Sequence, residues 1–307
     1  MRIFYGSSHP KLGHAIAEYL NAKAGEMKTS KFSCGETYAR VTETIRGHDC
    51  YIIQAIGQQP NDDYMELFIM MDALKRSSAR SINIVLPYFG YSRQDKKSAP
   101  REPISARLIA DLLQAVKLDR LITLDLHSDQ IQGFFNVPVD HLFGSAIFAP
   151  YIENLKLKNL TVSAPDMGGS KRANAYSRHL QSEIVLCYKL RKKPNVIEEM
   201  SIIGEVEGRN VIIIDDMVDT AGTLVLAADM MKERGATSIR AFATHPILSG
   251  NAVQRINDSA IEELVVSDSV PFINNSKKIK VLSIADIFAS TIQAVTTNRS
   301  ISTNFVF

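Results

Sequence analysis

The sequence predicts an α/β fold with two similar doubly wound domains, each built on a parallel sheet. Apolar runs such as 211–214 show no alternation of polar and apolar side chains, which is typical of strands buried on both faces. These runs alternate along the chain with helix-length amphipathic segments, and that alternation predicts strand–helix–strand units. Because each half of the chain carries a similar series, we expect two domains that face one another.

The individual elements follow from the same two patterns. A first strand over 2–5 enters a loop at Gly6, and further strands are predicted at 50–54, 82–87, 121–126, 161–164, 184–188, 211–214, 239–244, 263–266 and 280–282. Helices are predicted at 11–24, 63–76, 105–116, 171–181 and 223–234. Since no low-complexity linker marks a boundary, we divide the chain before the stretch 148–158. The predicted domains are therefore 1–147 and 148–290.

Composition narrows the class of protein. The chain has 307 residues, 45% of them hydrophobic and 22% charged, which suits an ordinary globular protein with two domains. A net charge of +2 gives no reason to expect a nucleic-acid or membrane partner. Three scattered cysteines, Cys34, Cys50 and Cys187, fit a reducing compartment. Without a signal-like segment or a long apolar run, we expect a cytoplasmic protein.

The segment 211–223 predicts a site for a phosphorylated sugar. An apolar strand runs into Asp215 and Asp216, and residues 220–223 then open a helix with small and hydroxyl side chains. Unpaired N–H groups and the helix dipole at such a terminus favour a phosphate. The loop has no lysine, which argues against a Walker A nucleotide loop. The two carboxylates suit ribose hydroxyls, directly or through Mg²⁺; alternatively, they only cap the strand-to-helix turn.

This segment resembles the phosphoribosyl-pyrophosphate motif shared by type I phosphoribosyltransferases and ribose-phosphate pyrophosphokinase. Four further segments look like the pyrophosphokinase and occur in that family's order: 32–36, 87–97, 125–135 and 163–169. The resemblance covers essentially the whole chain. It implies two domains of the type I phosphoribosyltransferase kind, with the segment 291–307 returning to the first domain.

The resemblance also implies an activity, which is the transfer of the diphosphate of ATP, as one unit, to the anomeric hydroxyl of ribose 5-phosphate. Such chemistry depends on positioning and charge neutralisation rather than on covalent catalysis. The resemblance further implies a role in nucleotide biosynthesis, Mg²⁺ as the cofactor, and a homohexamer assembled from dimers, since many members of the family are hexamers.

The resemblance assigns residues to each substrate. Ribose 5-phosphate is expected at Asp215, Asp216, Asp219, Thr220, Ala221, Gly222 and Thr223. His127 and Asp166 each follow a predicted strand, and the family uses these positions around Mg²⁺. A lone histidine after a strand is also a common structural residue, so that reading of His127 stays open.

ATP is expected at Phe32, Cys34, Glu36, Arg93, Gln94 and His127. An arginine can stack on a purine and bind phosphate, and Glu36 can accept a hydrogen bond from an amino group. Without the resemblance, 93–97 is only a charged surface loop. Cys34 departs from the family, which usually has Asp or Asn there. Because a thiol is a weak hydrogen-bond donor and acceptor, we expect either the nucleotide affinity or the base preference to differ from the family norm.

Lys189 and Arg191 lie in a basic segment, 188–194, that we expect to form a loop after a strand. In the family this is a mobile catalytic loop whose lysine and arginine close over the transferring phosphates. A solvated or nucleic-acid-contacting run is the alternative, although the small net charge disfavours nucleic acid.

Two rival functions are compatible with part of the sequence. A phosphoribosyltransferase would explain 211–223 but would leave Arg93, Gln94 and His127 without a role. A non-catalytic regulatory homologue should lack catalytic or metal residues, whereas this chain departs from the pattern mainly at Cys34. By resemblance, a regulatory site falls near Thr44, Arg46, Ser78, Arg101, Ser300 and Ser302. Many members of the family are inhibited by ADP at this site. Because Thr44 and the stretch 98–100, which lacks charged residues often found there, depart from the family pattern, ADP inhibition of this chain stays open.

Overall fold

A computed structural model describes residues 1–190 and 199–302. The chain divides into two compact units. Unit 1 contains Met1–Phe143, Ser269–Pro271 and the segment that begins at Ile284, and unit 2 contains Gly144–Asp268 and Phe272–Ser283. Each unit is built on a mainly parallel sheet, so the predicted α/β fold is confirmed. The predicted domain limits, 1–147 with 291–307 and 148–290, stay a prediction.

Unit 1 has a five-stranded parallel sheet in the order β1-β4-β5-β6-β7 and a separate antiparallel hairpin, β2-β3. The strands are β1 (Arg2–Tyr5), β2 (Met27–Lys31), β3 (Thr37–Val41), β4 (Asp49–Ile53), β5 (Ser81–Leu86), β6 (Arg120–Leu124) and β7 (Val139–Leu142). The helices are α1 (Pro10–Tyr19), α2 (Pro60–Arg76) and α3 (Ser105–Ala115). The strand order follows the chain from edge to edge, so this sheet shows no reversal of winding direction.

Unit 2 has a seven-stranded sheet in the order β10-β9-β8-β11-β12-β13-β14, parallel except for the β9–β10 pair. The strands are β8 (Leu160–Ala164), β9 (Glu183–Leu190), β10 (Glu199–Ile203), β11 (Asn210–Val218), β12 (Ser238–Pro246), β13 (Glu263–Ser267) and β14 (Ile279–Leu282). The helices are α4 (Ser145–Asn154), α5 (Ser170–His179), α6 (Gly222–Glu233) and α7 (Ala252–Asp258), and α8 (Ala285–Thr296) returns to unit 1. From β8 the chain adds β9 and β10 on one side of the sheet and then returns to add β11 to β14 on the other side. This change in the direction of strand addition is that of a doubly wound sheet.

The packing of β11 explains why its sequence does not alternate. Val211 and Ile213 lie in one hydrophobic cluster, whereas Ile212 and Ile214 lie in another. Side chains of a strand point alternately to the two faces of the sheet, so both faces of β11 are covered. Each fully buried side chain of this size contributes about 1.5–3 kcal/mol to folding.

Two predicted helices are shorter than expected for the same reason. The helix predicted at 11–24 ends at Tyr19, and the one predicted at 171–181 ends at His179. Asn21 and Gln181 have φ values of 47° and 50°, in the left-handed region that terminates helices. The next residue closes each helix end; the bond from Ser182 N to the Ser177 carbonyl is 3.0 Å long.

Strand lengths also differ from the predictions. The strand β11 continues to Val218, because β12 continues to pair with it after β8 has ended its pairing at Ile213. The strand predicted at 121–126 ends at Leu124. Within residues 1–190 and 199–302, no helix is both long and apolar enough to cross a bilayer.

Candidate functional site

The loop between β11 and α6 is held from one side by a second segment of unit 2. Leu248 N donates to the Val218 carbonyl (3.0 Å), and Ser249 N donates to the Asp219 carbonyl (3.1 Å). Arg255 Nη1 donates to the Thr220 carbonyl at 2.9 Å. These bonds fix the backbone just before α6.

The same loop turns sharply into α6. Ala221 precedes the helix with a φ of 61°, a left-handed conformation that costs about 1 kcal/mol or more in a residue with a side chain. The helix begins at Gly222, and its first N–H groups have no acceptor within the helix. The predicted phosphate loop is therefore a strained turn that ends in a helix N-terminus, where an anion is favoured.

Asp215 and Asp216 lie in the last part of β11 rather than after it. Asp216 is buried, and its Oδ1 lies 3.5 Å from Nη1 of Arg172 in the first turn of α5. Asp215 Oδ1 accepts a hydrogen bond from Asp216 N at 2.9 Å. Burial, together with the neighbouring Asp216 carboxylate, raises the pKa of Asp215 well above its ordinary value. The pair thus concentrates acceptor oxygens beside the loop, where a second negative charge is disfavoured.

Asp166 lies at the same edge of this sheet, because β8 and β11 are adjacent and parallel. Its Oδ1 accepts from Gly168 N at 2.8 Å and caps a short 3₁₀ turn, Met167–Gly169. A β-carbon added at Gly169 would lie 3.1 Å from the β-carbon of Ala164, so the start of α5 packs closely on the end of β8. Asp166, Asp215, Asp216 and the loop 219–223 therefore lie at the same edge of the unit 2 sheet, and their roles as site residues stay a prediction.

In unit 1, His127 is exposed just after β6. The chain leaves the strand at Asp125, whose φ is 37°, while Asp125 N still donates to the Leu142 carbonyl (2.9 Å). The next N–H group, that of Leu126, donates to Nε2 of His141 at 2.9 Å. This buried bond fixes the backbone that immediately precedes His127.

His141 is a residue that the sequence analysis missed. Its side chain is buried, and its ring lies 4.5 Å from that of Phe143. It belongs to β7, a four-residue strand whose apolar run is interrupted by Asp140 and by His141 itself, so no pattern predicted it. Because Nε2 accepts from Leu126 N, that nitrogen carries no proton in this arrangement.

We expect His141→Ala to lower the melting temperature, because the buried N–H group of Leu126 would lose its acceptor. The free energy of unfolding should fall by about 1–3 kcal/mol. His141→Gln should recover most of the loss, since its amide oxygen reaches the position of Nε2. His179→Ala, which removes a histidine that pairs with the half-exposed Glu153 at the surface, is the control in a thermal melt. Equal losses in the alanine and glutamine variants would contradict the role of this bond.

The predicted nucleotide residues of unit 1 occupy two exposed segments. Phe32 and Glu36 close the β2–β3 hairpin, with Phe32 N donating to the Glu36 carbonyl at 2.8 Å. The Phe32 side chain is 55% exposed, and Cys34 at the tip is exposed as well. The hairpin was not predicted as strands, because its residues are mostly polar and partly exposed.

Arg93 and Gln94 are both exposed and follow β5. The Gln94 side chain accepts from the Ser105 hydroxyl at the start of α3. The first turn of α2 holds both segments: Tyr91 bonds to Asn61, and Lys31 Nζ lies 2.5 Å from Asp62 Oδ2. The hairpin and the 87–97 segment are therefore attached to the same helix end.

The strand that precedes the predicted basic loop, expected at 184–188, extends to Leu190. Lys189 lies in β9, where its backbone pairs with that of Met200, so the strand does not end at 188. Arg191 lies outside the described residues. The other residues that the sequence analysis missed in unit 2 are Arg172 and Arg255, whose contacts join segments far apart in the chain.

Two family models match segments of this chain. The family model for the N-terminal domain of ribose phosphate pyrophosphokinase matches residues 1–116, and that for the phosphoribosyl synthetase-associated domain matches residues 163–306. The chain is 49% identical to a ribose-phosphate pyrophosphokinase of Wolinella succinogenes, over 99% of both chains. It is 46% identical to one of Bacillus subtilis, over 98% of this chain and 96% of the relative.

A solved structure has the same fold. The phosphoribosylpyrophosphate synthetase of Mycobacterium smegmatis superposes with a TM-score of 0.92 at 37% identity. The match covers 97% of this chain and 99% of that one. The similarity therefore extends over both units.

Proposed function

Because the chain belongs to the ribose-phosphate pyrophosphokinase family, we propose that unit 2 binds ribose 5-phosphate and unit 1 binds ATP at the sheet edges described above. The reaction is transfer of the diphosphoryl group of ATP to the anomeric hydroxyl of ribose 5-phosphate. Its products are 5-phosphoribosyl 1-pyrophosphate and AMP, and the former supplies nucleotide biosynthesis. The main support for ribose 5-phosphate as the substrate of unit 2 is the turn at Ala221 into α6, which lies beside two adjacent carboxylates.

In this proposal the 5-phosphate binds the N–H groups and hydroxyls of Asp219, Thr220, Ala221, Gly222 and Thr223. The helix N-terminus favours its charge. Asp215 and Asp216 accept hydrogen bonds from the ribose hydroxyls, and the Arg172 guanidinium compensates part of their charge. A fixed sugar leaves the anomeric hydroxyl positioned for attack, which is the main requirement of this chemistry.

We propose Mg²⁺ as the cofactor, with His127 in unit 1 and Asp166 in unit 2 each proposed as a metal-binding residue of its own unit. Residues 1–190 and 199–302 contain no group of three His, Cys, Asp or Glu side chains arranged around a metal. Phosphate-transferring enzymes commonly hold Mg²⁺ through one or two carboxylates together with substrate oxygens and water, and the Asp166 carboxylate suits that role. Only Oδ1 of Asp166 has a hydrogen-bond donor among the described residues. When bound, Mg²⁺ would neutralise phosphate charge.

For ATP we propose Phe32, Cys34, Glu36, Arg93, Gln94 and His127. An exposed phenylalanine at a hairpin tip is a suitable surface for a purine ring, and Arg93 suits phosphate. Lys189 and Arg191 are proposed to stabilise charge on the transferring group. We also propose a homohexamer assembled from dimers. A cytoplasmic location is proposed as well, because the three unpaired cysteines are consistent with a reducing compartment.

Phosphorus NMR of the purified protein with Mg²⁺, ATP and ribose 5-phosphate tests the function directly. We expect AMP and 5-phosphoribosyl 1-pyrophosphate to form only when the sugar is present. Consumption of the pyrophosphate that depends on an added nucleobase would support the phosphoribosyltransferase instead. Intact ATP despite bound ribose 5-phosphate would favour the regulatory homologue.

The cysteines offer a test of the nucleotide site. Burial raises the pKa of the Cys50 and Cys187 thiols to about 11, so we expect only exposed Cys34 to react with a thiol reagent near pH 8. ATP at ten times its dissociation constant should slow that reaction about tenfold, whereas ribose 5-phosphate should not. Cys34→Ser is the control and should abolish the reaction. An unchanged rate with saturating ATP would remove Cys34 from the nucleotide site.

A further inference from the structure

The phosphate loop has an unusual charge balance. The segment 215–223 contains three carboxylates, Asp215, Asp216 and Asp219, and no lysine or arginine. A phosphate monoester adds a charge of about −1.5 to −2 near pH 7. The helix terminus provides only about +0.5. Binding a phosphate here therefore calls for a cation from another part of the chain.

Arg255 of α7 lies against this loop. Its Nη1 donates to the Thr220 carbonyl at 2.9 Å. A β-carbon added at Gly222 would lie 3.6 Å from the same nitrogen and 3.9 Å from Thr220 Oγ1, and these are its nearest neighbours. The guanidinium thus borders the space left by the missing side chain of Gly222, at the first residue of α6.

The guanidinium keeps donors for a ligand. Its five N–H groups are fixed in a planar fork, and the Thr220 carbonyl engages one of its nitrogens. The side chain is exposed rather than packed into the core. Arg172, also at this sheet edge, lies beside Asp216, so its charge is compensated there.

We propose that Arg255 is a further ribose 5-phosphate-binding residue, which supplies positive charge to the 5-phosphate while its Nη1 holds the loop at Thr220. This inference rests on the proposed function of the loop 219–223. Arginine suits both tasks, because one planar group can bond a carbonyl and a phosphate oxygen at the same time.

The test compares Arg255→Ala, Arg255→Gln and Arg255→Lys in the full chain. We expect Arg255→Ala to raise KM for ribose 5-phosphate about 10- to 100-fold and to change KM for ATP by less than about twofold. Arg255→Lys keeps the charge and should recover part of the affinity. Arg255→Gln keeps a donor for Thr220 but no charge, so it should resemble the alanine variant.

Arg234→Ala is the matched control. Arg234, at the other end of α6, also uses Nη1 to bond a backbone carbonyl, that of Ile202 at 3.0 Å. Its removal should leave both KM values unchanged even where it lowers the melting temperature. A normal KM for ribose 5-phosphate in Arg255→Gln would overturn the charge role, and a normal KM in Arg255→Ala would overturn the proposal entirely.

Direct titration with ribose 5-phosphate distinguishes an error in the proposed function from an error in the role of Arg255 alone. If the wild-type protein does not bind this probe, the proposed function is wrong and the role of Arg255 falls with it. If the wild type binds and Arg255→Ala binds equally well, only the role of Arg255 is wrong. Should the alanine variant fail to fold, the lysine and glutamine variants still separate charge from loop support.

Discussion

Replacing Lys189 by alanine is expected to lower kcat by about 10³-fold, while the affinity for ribose 5-phosphate changes by less than about twofold. The reason is that a cation acting only on charge developed during transfer contributes to the transition state and not to binding of the sugar. The position of the backbone supports this role. Leu186 pairs with Ala164 at the end of β8, so Lys189, three residues later, lies about 10 Å further along β9.

The antiparallel pairing of β9 with β10 extends this strand beyond the end of β8. That extension carries Lys189 past the sheet edge at which Asp166 and the phosphate loop lie. A strand pair that extends past this edge suits a role for Lys189 at a substrate bound there. If the basic segment were only a solvent-exposed run, its position relative to this edge would not matter.

Steady-state kinetics with both substrates varied would measure this prediction. Lys158→Ala is the control, because Lys158 precedes β8 at the opposite end of the sheet and should keep normal kinetics. Near-normal kcat in Lys189→Ala would remove Lys189 from the mechanism. A loss confined to KM for ribose 5-phosphate would make it a ground-state binding residue instead.

The elements that the sequence predicted well are those whose pattern reports local burial. The core strands of both sheets read as continuous apolar runs, because both faces of each strand are covered, as Ile212 and Ile213 show in β11. The β2–β3 hairpin and β7 were missed, because their residues are polar or mixed and no simple period describes them. Helix ends were missed where a non-glycine residue such as Asn21 adopts the left-handed conformation.

For the site, motifs identified the residues that follow the strands, but not the residues that hold them. Arg255 meets Thr220 across 35 positions, and His141 meets Leu126 across 15. Such contacts depend on which strands and helices are neighbours, and this information is absent from any short window of sequence. The supporting residues therefore emerge only from the tertiary structure.

Asp215→Asn is expected to stabilise the ligand-free protein and to weaken ribose 5-phosphate binding about 10- to 100-fold. Burial and the Asp216 carboxylate raise the pKa of Asp215 well above 3.8, so its ionised form is disfavoured in the folded state. Asparagine removes that charge, and we expect the free energy of unfolding at pH 7.5 to rise by about 1 kcal/mol.

The contribution of Asp215 to the stability of the folded protein depends on pH. Folded Asp215 binds its proton more tightly than the unfolded chain does, so its contribution to the free energy of unfolding increases as the pH falls from the raised pKa towards 3.8. Below 3.8 no further change is expected from this group. The difference in melting temperature between variant and wild type should therefore shrink as the pH falls from 7.5 towards 3.8.

Asp229→Asn provides the matched control. Asp229 lies on α6, and its Oδ1 accepts from Ala260 N at 2.8 Å, a bond that the asparagine oxygen can keep. It changes the charge by the same amount and should alter neither the melting temperature nor ribose 5-phosphate affinity appreciably. A less stable Asp215→Asn protein with normal sugar affinity would mean that the carboxylate only caps the strand-to-helix turn. A more stable protein that binds the sugar poorly would mean that Asp215 is kept for its ligand at the expense of the fold.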